Sequence, residues 1–238
     1  MKEEGGIWRH ELKFVCTMPQ IRIVESRVKP LLRLDPHAGR AGMYSIRSVY
    51  FDDEWDTCYF ENEDGTDPRE KFRIRIYDGS DERIMLELKQ KLRGMTRKLS
   101  CPLTRKQCEA ALCGELLDGP EDAAPVLKKF ILEQKDRRLA AKAIVEYDRV
   151  PYVFGPGNVR ITLDENLRSS HQTERFLTGD FIRRPVMGAG EHVLEVKYDE
   201  FLPDVVRQVL RLNTLRRTSF SKYYLCRYYS SAGRAKRH

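Results

Sequence analysis

Charged and apolar residues alternate one for one along several segments of this chain. In Arg9-His10-Glu11-Leu12-Lys13-Phe14, the side chains of Arg9, Glu11 and Lys13 share one face and those of Leu12 and Phe14 the other, because successive side chains of a strand point to opposite sides. The same rule sets Lys71, Arg73 and Arg75 against Phe72, Ile74 and Ile76, and Glu87, Lys89 and Lys91 against Ile84, Leu86 and Leu88. It sets Arg160, Thr162 and Asp164 against Val159, Ile161 and Leu163, and Glu195 and Lys197 against Leu194, Val196 and Tyr198.

Period-two patterning or β-branched and aromatic runs predict strands over 8–15, 44–52, 71–77, 83–91, 143–154, 158–164 and 192–198. Asp78-Gly79-Ser80-Asp81 makes 71–91 a hairpin, and Gly155-Pro156-Gly157-Asn158 turns 143–154 into 158–164. Apolar faces of helical spacing cover 20–34, where Pro30 disturbs the end, then 104–117, 125–139 and 203–212, with a further segment at 219–229. No repeat and no dividing linker is visible, so residues 1–230 are expected to form one α+β domain and 231–238 a basic tail.

A charged strand face is ordinarily the solvated side of a half-buried antiparallel sheet. Two features favour another arrangement. Exposed faces usually mix in Thr, Ser and Gln, whereas long cations and carboxylates take nearly every position here. The apolar helices also need something to cover, and the apolar strand faces supply it. With helices outside a curved sheet, the charged faces point inward, into a polar tunnel. Such a cavity is costly unless it stays wet or holds an anion. Arg forks match phosphate oxygens and Lys adds point charge, while carboxylates among them suit a divalent metal that bridges phosphates.

Composition narrows the field. The 43 Lys and Arg against 36 Asp and Glu give +7, and Arg234, Lys236 and Arg237 alone leave +4 on the rest. The apolar share of 41% excludes a disordered chain, and no apolar run reaches the roughly 18 residues of a membrane span. Nucleic-acid binding predicts cations on an outer face with aromatics interleaved, whereas Phe14, Phe72 and Tyr198 share the apolar faces. The start, Met1 to Trp8, has no apolar signal region, and six cysteines without a C-x-x-C pair read as reduced thiols of a cytoplasmic protein. Cys108 and Cys113 read as small buried hydrophobes, Trp8 and Trp55 as packing residues, and Asp52-Asp53-Glu54-Asp56 as a solvated acidic turn rather than a metal site.

Seven short motifs occur in order: Arg9-His10-Glu11-Leu12-Lys13-Phe14, Ser48-x-Tyr50-Phe51-Asp52, Lys71-Phe72-Arg73-Ile74-Arg75-Ile76-Tyr77, Glu87-Leu88-Lys89, Arg160-x-Thr162-Leu163-Asp164, Leu194-Glu195-Val196-Lys197-Tyr198 and Phe220-Ser221-Lys222-Tyr223. Together they resemble the VTC domain, the polyphosphate polymerase branch of the triphosphate tunnel metalloenzymes. The resemblance implies a closed antiparallel β-barrel tunnel with flanking helices, in a stand-alone soluble protein. It implies that Lys13, Arg73, Arg75, Lys89, Lys98, Arg149, Arg160 and Lys222 hold phosphates, with Arg73, Arg75, Lys89 and Arg160 carrying catalysis. Glu195 would hold Mn²⁺ or Mg²⁺, and Glu11 would be a second metal ligand or a partner of Lys13. Arg149 falls by alternation with Val145 and Tyr147, so a bulge is expected to aim it inward.

The implied reaction transfers the ATP γ-phosphoryl group to inorganic polyphosphate. The alternatives are a non-catalytic polyphosphate or inositol-phosphate binding module, for which Glu195 would be superfluous, and a triphosphatase of the same superfamily. Arg9 stands where hydrolytic and cyclase members resemble E-x-E-x-K at the first Glu, which argues against their activities. Ser219 stands where polymerase members carry another Lys.

Overall fold

Two tight turns organise the centre of the chain. Asp78 and Gly79 both have positive φ (52° and 70°), as do Arg93 and Gly94 (49° and 77°). This pairing suits a two-residue hairpin loop whose twist matches that of the flanking strands. They join β4 (Arg69–Tyr77), β5 (Ser80–Leu92) and β6 (Met95–Leu103) into a continuous meander. The computed structural model describes residues 6–211 and 215–235, with side chains through residue 229. Before the meander lie β1 (His10–Thr17), α1 (Met18–Val28), β2 (Arg33–Leu34), β3 (Tyr44–Asp52) and α2 (Thr57–Glu63). After it come α3 (Arg105–Leu112), α4 (Pro125–Arg137), β7 (Ala140–Phe154), β8 (Val159–Ser170), β9 (Arg184–Pro185), β10 (Glu191–Tyr198), α5 (Asp204–Val209) and α6 (Lys222–Ala235).

The main sheet runs β1-β10-β8-β7-β3-β4-β5-β6, antiparallel throughout, with β2 added on β7 and β9 on β8. Its eight main strands curl into a half-barrel. The expected closure is not reached. Among the described residues the ends of β1 and β6 are bridged through the backbone only at Arg9 and Thr96, which exchange two hydrogen bonds of 2.9 Å. Further along, the free edge of β1 is taken by the segment ahead of α6: Phe14 pairs with Arg217, and the Thr218 N–H donates to the Lys13 carbonyl at 2.9 Å. That segment wedges the barrel open.

Helices α1, α3, α4 and α5 cover the outside as expected. Phe72, Ile74, Leu86 and Leu88 are buried with Cys108 and Ala111 of α3 and Val126 and Phe130 of α4. Ile161, Leu163, Leu194 and Val196 are buried with Ile21, Val24 and Val28 of α1 and Val206 of α5. Each of the Val, Leu, Ile and Phe side chains contributes about 1.5–3 kcal/mol on burial. Helix α6 instead packs on the inner face: its Tyr223 and Cys226 are buried with Ile46, Val145, Tyr147 and Val193. The inner face is therefore charged at one end and apolar at the other.

Strand β6 and helix α2 have no counterpart in the sequence reading. Strand β6 carries polar residues at 96, 97, 98 and 100 and a Pro at 102, which blurs alternation and is tolerated because it ends the sheet. The acidic turn at 52–56 is solvated only in part: Asp52 and Asp53 are buried, while Glu54 is exposed. Asp52 accepts from the N–H groups of Asp53, Cys58 and Tyr59 and from the Tyr223 hydroxyl at 2.6 Å, and Asp53 accepts from Thr57 N–H and pairs with Arg137. These carboxylates fasten the start of α2. No thiol is in a disulfide among the described residues; five are buried, and Cys113 is exposed rather than packed. Trp55 is also exposed. Of the expected basic tail, 231–235 continue α6 and 236–238 lie outside the described residues, as do the first five residues and residue 212 of the helix predicted over 203–212. Among the described residues no helix is long and apolar enough to cross a membrane.

Candidate functional site: a cation-lined tunnel

The charged end of the inner face encloses a cavity of about 850 Å³. All ten side chains singled out from the sequence line it: Glu11 and Lys13 from β1, Arg73 and Arg75 from β4, Lys89 from β5, Lys98 from β6, Arg149 from β7, Arg160 from β8, Glu195 from β10 and Lys222 from α6. Alternation brings the strand residues together: the other contributing strands turn a charged face inward, while β7 supplies Arg149 from the face it shares with Val145 and Tyr147. Arg149 needs no bulge in its own strand, since Val145 and Tyr147 face inward with it. The bulge nearest to it sits in β8, where Glu146 pairs with Arg168 but Asp148 with Glu165, and Asn166 has φ 53°; β7 has its own bulge farther off, where Tyr50 pairs with Ala143 but Phe51 with Ala141.

Carboxylates hold these cations in position. Glu87 accepts from Arg73 at 2.7 Å and Lys98 at 3.0 Å and lies 3.8 Å from Arg75. Arg149 grips Asp164 through two bonds of 2.6 and 2.7 Å. Lys222 lies 2.7 Å from both Asp164 and Glu195. Glu11 meets Lys89 at 2.9 Å and Lys13 at 3.5 Å, and Asp35 meets Arg160 at 2.8 Å. Lys197 bridges Glu11 and Glu195, 3.3 Å from each. A buried charge left alone would cost several kcal/mol, so pairing is what lets the sheet carry this face.

The titration behaviour follows. Burial alone would raise the carboxyls of Glu11, Glu87, Asp164 and Glu195, but the facing ammonium and guanidinium groups outweigh it and hold all four below the usual range. Desolvation pushes Lys89 down to about 7 although Glu11 is beside it, and pushes Lys71 down to about 8. Burial also opposes the Lys222 ammonium, yet Asp164 and Glu195 outweigh it and raise that group.

Three tyrosines escaped the sequence reading. Tyr50, Tyr147 and Tyr44 accept from Arg73 (2.9 Å), Arg75 (3.3 Å) and Arg160 (3.0 Å) through their hydroxyls. The alternation of 44–52 contained the signal: Tyr44, Ile46, Ser48 and Tyr50 share the face that turns inward. Lys71 and Lys197 also line the cavity and were visible by the same rule. Arg9 lies at the rim, held by Asp199 at 2.7 Å and by the Asn158 carbonyl, where it secures the one bridge between the sheet's ends.

The donor set does not fit a resident divalent cation. Among the described residues no group of three His, Cys, Asp or Glu is placed to hold one. The two carboxylates expected to do so, Glu195 and Glu11, already share the Lys197 ammonium and meet Lys222, Lys89 and Lys13 besides. Glu195 thus has a structural task that a binding module would also need, and it does not separate enzyme from binder.

The family model that matches the sequence is that of the VTC domain, over residues 8–229. No curated protein matches it. Among solved structures, HpAC1 from Hippeastrum, an adenylyl cyclase candidate described as having a dominant triphosphatase activity, superposes with a TM-score of 0.55 at 12% identity, covering 94% of this chain and 96% of its own. An adenylate cyclase candidate from Bacillus halodurans gives 0.47 at 14% identity, covering 81% of each chain. The PH1819 protein from Pyrococcus horikoshii gives 0.49 at 16%, covering 93% of this chain and 99% of its own. At such identities the likeness to HpAC1 speaks to the fold.

Proposed function

Because the chain belongs to the VTC domain family, we propose that its tunnel moves the γ-phosphoryl group of ATP onto inorganic polyphosphate. The observation that carries this reading is the convergence of eight cations, from seven elements, on one cavity, each already poised by a carboxylate. Phosphoryl transfer asks mainly for in-line positioning and neutralisation of the transferring group. Arg73, Arg75, Lys89 and Arg160 orient that group and take up its charge, while Lys13, Lys98, Arg149 and Lys222 hold the rest of the chain. The bond from the γ-phosphorus to its bridging oxygen breaks and ADP leaves; a terminal oxygen of polyphosphate forms the new bond. That oxygen is ionised near neutral pH, so no general base is required.

Mn²⁺ or Mg²⁺ enters as part of the nucleotide complex, as substrate. The reading places the protein in the cytoplasm, with ATP at hand. Incubating purified protein with ATP and Mn²⁺ and resolving the products by gel tests it, with long-chain polyphosphate as the expected product. Tight polyphosphate binding without product would leave a binding module. Phosphate released from tripolyphosphate would mark a triphosphatase, a reading that Arg9 at the rim does not favour.

A further inference from the structure

Every cation named so far as a phosphate ligand has a carboxylate within 4 Å. Lys71 differs. It opens the inward trio Lys71, Arg73 and Arg75 of β4, and the residue directly across from it on β5 is Lys89. Its ammonium donates to the Asn62 side-chain oxygen of α2 at 3.3 Å and stands 5.3 Å from the centre of the Tyr223 ring of α6. Among the described residues no ion pair to Lys71 occurs within 4 Å. The groups that face it are Arg69 on its own strand, Lys13 from β1, Lys89 from β5, Asp52 from β3, and Cys58 and Glu61 from α2. Of the two carboxylates among them, Asp52 has its oxygens committed to three backbone N–H groups and the Tyr223 hydroxyl, and Glu61 acts on Lys71 from beyond ion-pair distance.

An anion reaching Arg73 or Lys222 must displace a carboxylate that already satisfies the cation. At Lys71 it displaces only a neutral amide oxygen, and a charge-assisted bond replaces an ordinary one. The like charges around Lys71 favour a phosphate there for the same reason. We propose that Lys71 is the anchoring residue for incoming phosphate in this tunnel and that it takes up a proton as the phosphate docks. The inference rests on reading the tunnel as a phosphate site. Desolvation supports it by pushing Lys71 down to about 8, while a bound polyanion favours the charged form. Affinity through Lys71 is therefore full at pH values below about 8 and declines as pH rises above that.

Calorimetric titration with tripolyphosphate, in two buffers of different ionisation heat, measures affinity and proton uptake together. It compares the wild type with Lys71→Met and Lys71→Arg at pH 7 and 8.5. The wild type is expected to bind with proton uptake that is larger at pH 8.5. Lys71→Met should bind about tenfold more weakly at pH 7 and take up fewer protons. Lys71→Arg should keep the affinity and lose the same uptake, because guanidinium stays charged; this variant also separates lost charge from lost folding. Lys71→Met within twofold of the wild type, with unchanged uptake, would overturn the role of Lys71 alone. No binding by the folded wild type would overturn the phosphate reading itself.

Discussion

The two walls of the tunnel balance their charges differently. On the β4–β5–β6 wall, the single buried carboxylate Glu87 serves Arg73, Arg75 and Lys98, while Lys71 and Lys89 stand side by side across the ladder. On the β1–β10–β8 wall, Glu11, Glu195 and Asp164 meet Lys13, Lys197 and Lys222 almost one for one, with Arg149 reaching across from β7. The first wall has charge to offer an anion. The second uses its carboxylates to seat Lys222, and with it the start of α6, against the inner face. Attraction and architecture are divided between the two sides.

Acid should have the largest effect, because it removes both sets of pairs together. The folded protein holds Glu11, Glu87, Asp164 and Glu195 below their usual range, so their stabilisation is present above the unfolded carboxyl values of roughly 3.9–4.3 and is lost as pH falls below them. Urea midpoints should be flat from pH 7 to 5 and drop steeply below 4. A flat profile to pH 3 would mean the pairs contribute nothing to folding.

A single substitution on the cation-rich wall comes next. Glu87→Gln leaves two buried guanidinium groups without their carboxylate, and should destabilise the fold by about 3–5 kcal/mol in urea titrations. Glu11→Gln should cost less, since its lysines are more exposed and Lys197 keeps Glu195. Equal losses would erase the distinction between the walls. Arg73→Met, tested by tripolyphosphate titration, should lower affinity roughly 10- to 100-fold while leaving Lys222 and α6 in place. The smallest effect is expected from chelation. Since the carboxylates are committed to ammonium groups, EDTA should change tripolyphosphate affinity by less than about twofold; a large loss would show that Glu11 and Glu195 hold a metal after all.

How much of this was legible beforehand depended on the range of the interaction. The inward set Lys71, Arg73 and Arg75 was legible because strand alternation is local. Strand β6 was not, since its polar run and Pro102 break the period, although Lys98 had been placed in the site by resemblance. Arg149 needs no bulge to face inward, and alternation in β7 cannot report this, because it does not say whether the inward face is polar or apolar. The tunnel tyrosines were hidden by the assumption that aromatics belong to the outer faces.

The sequence alone determined which side chains share a face, and therefore that a curved sheet would carry its charges inward. The tertiary structure decided the rest. It placed α6 inside the sheet rather than over it, inserted Arg217 and Thr218 where the barrel would have closed, and set Glu195 against Lys222. These are pairings between residues far apart in the chain, set by which strands become neighbours. No local period encodes that choice.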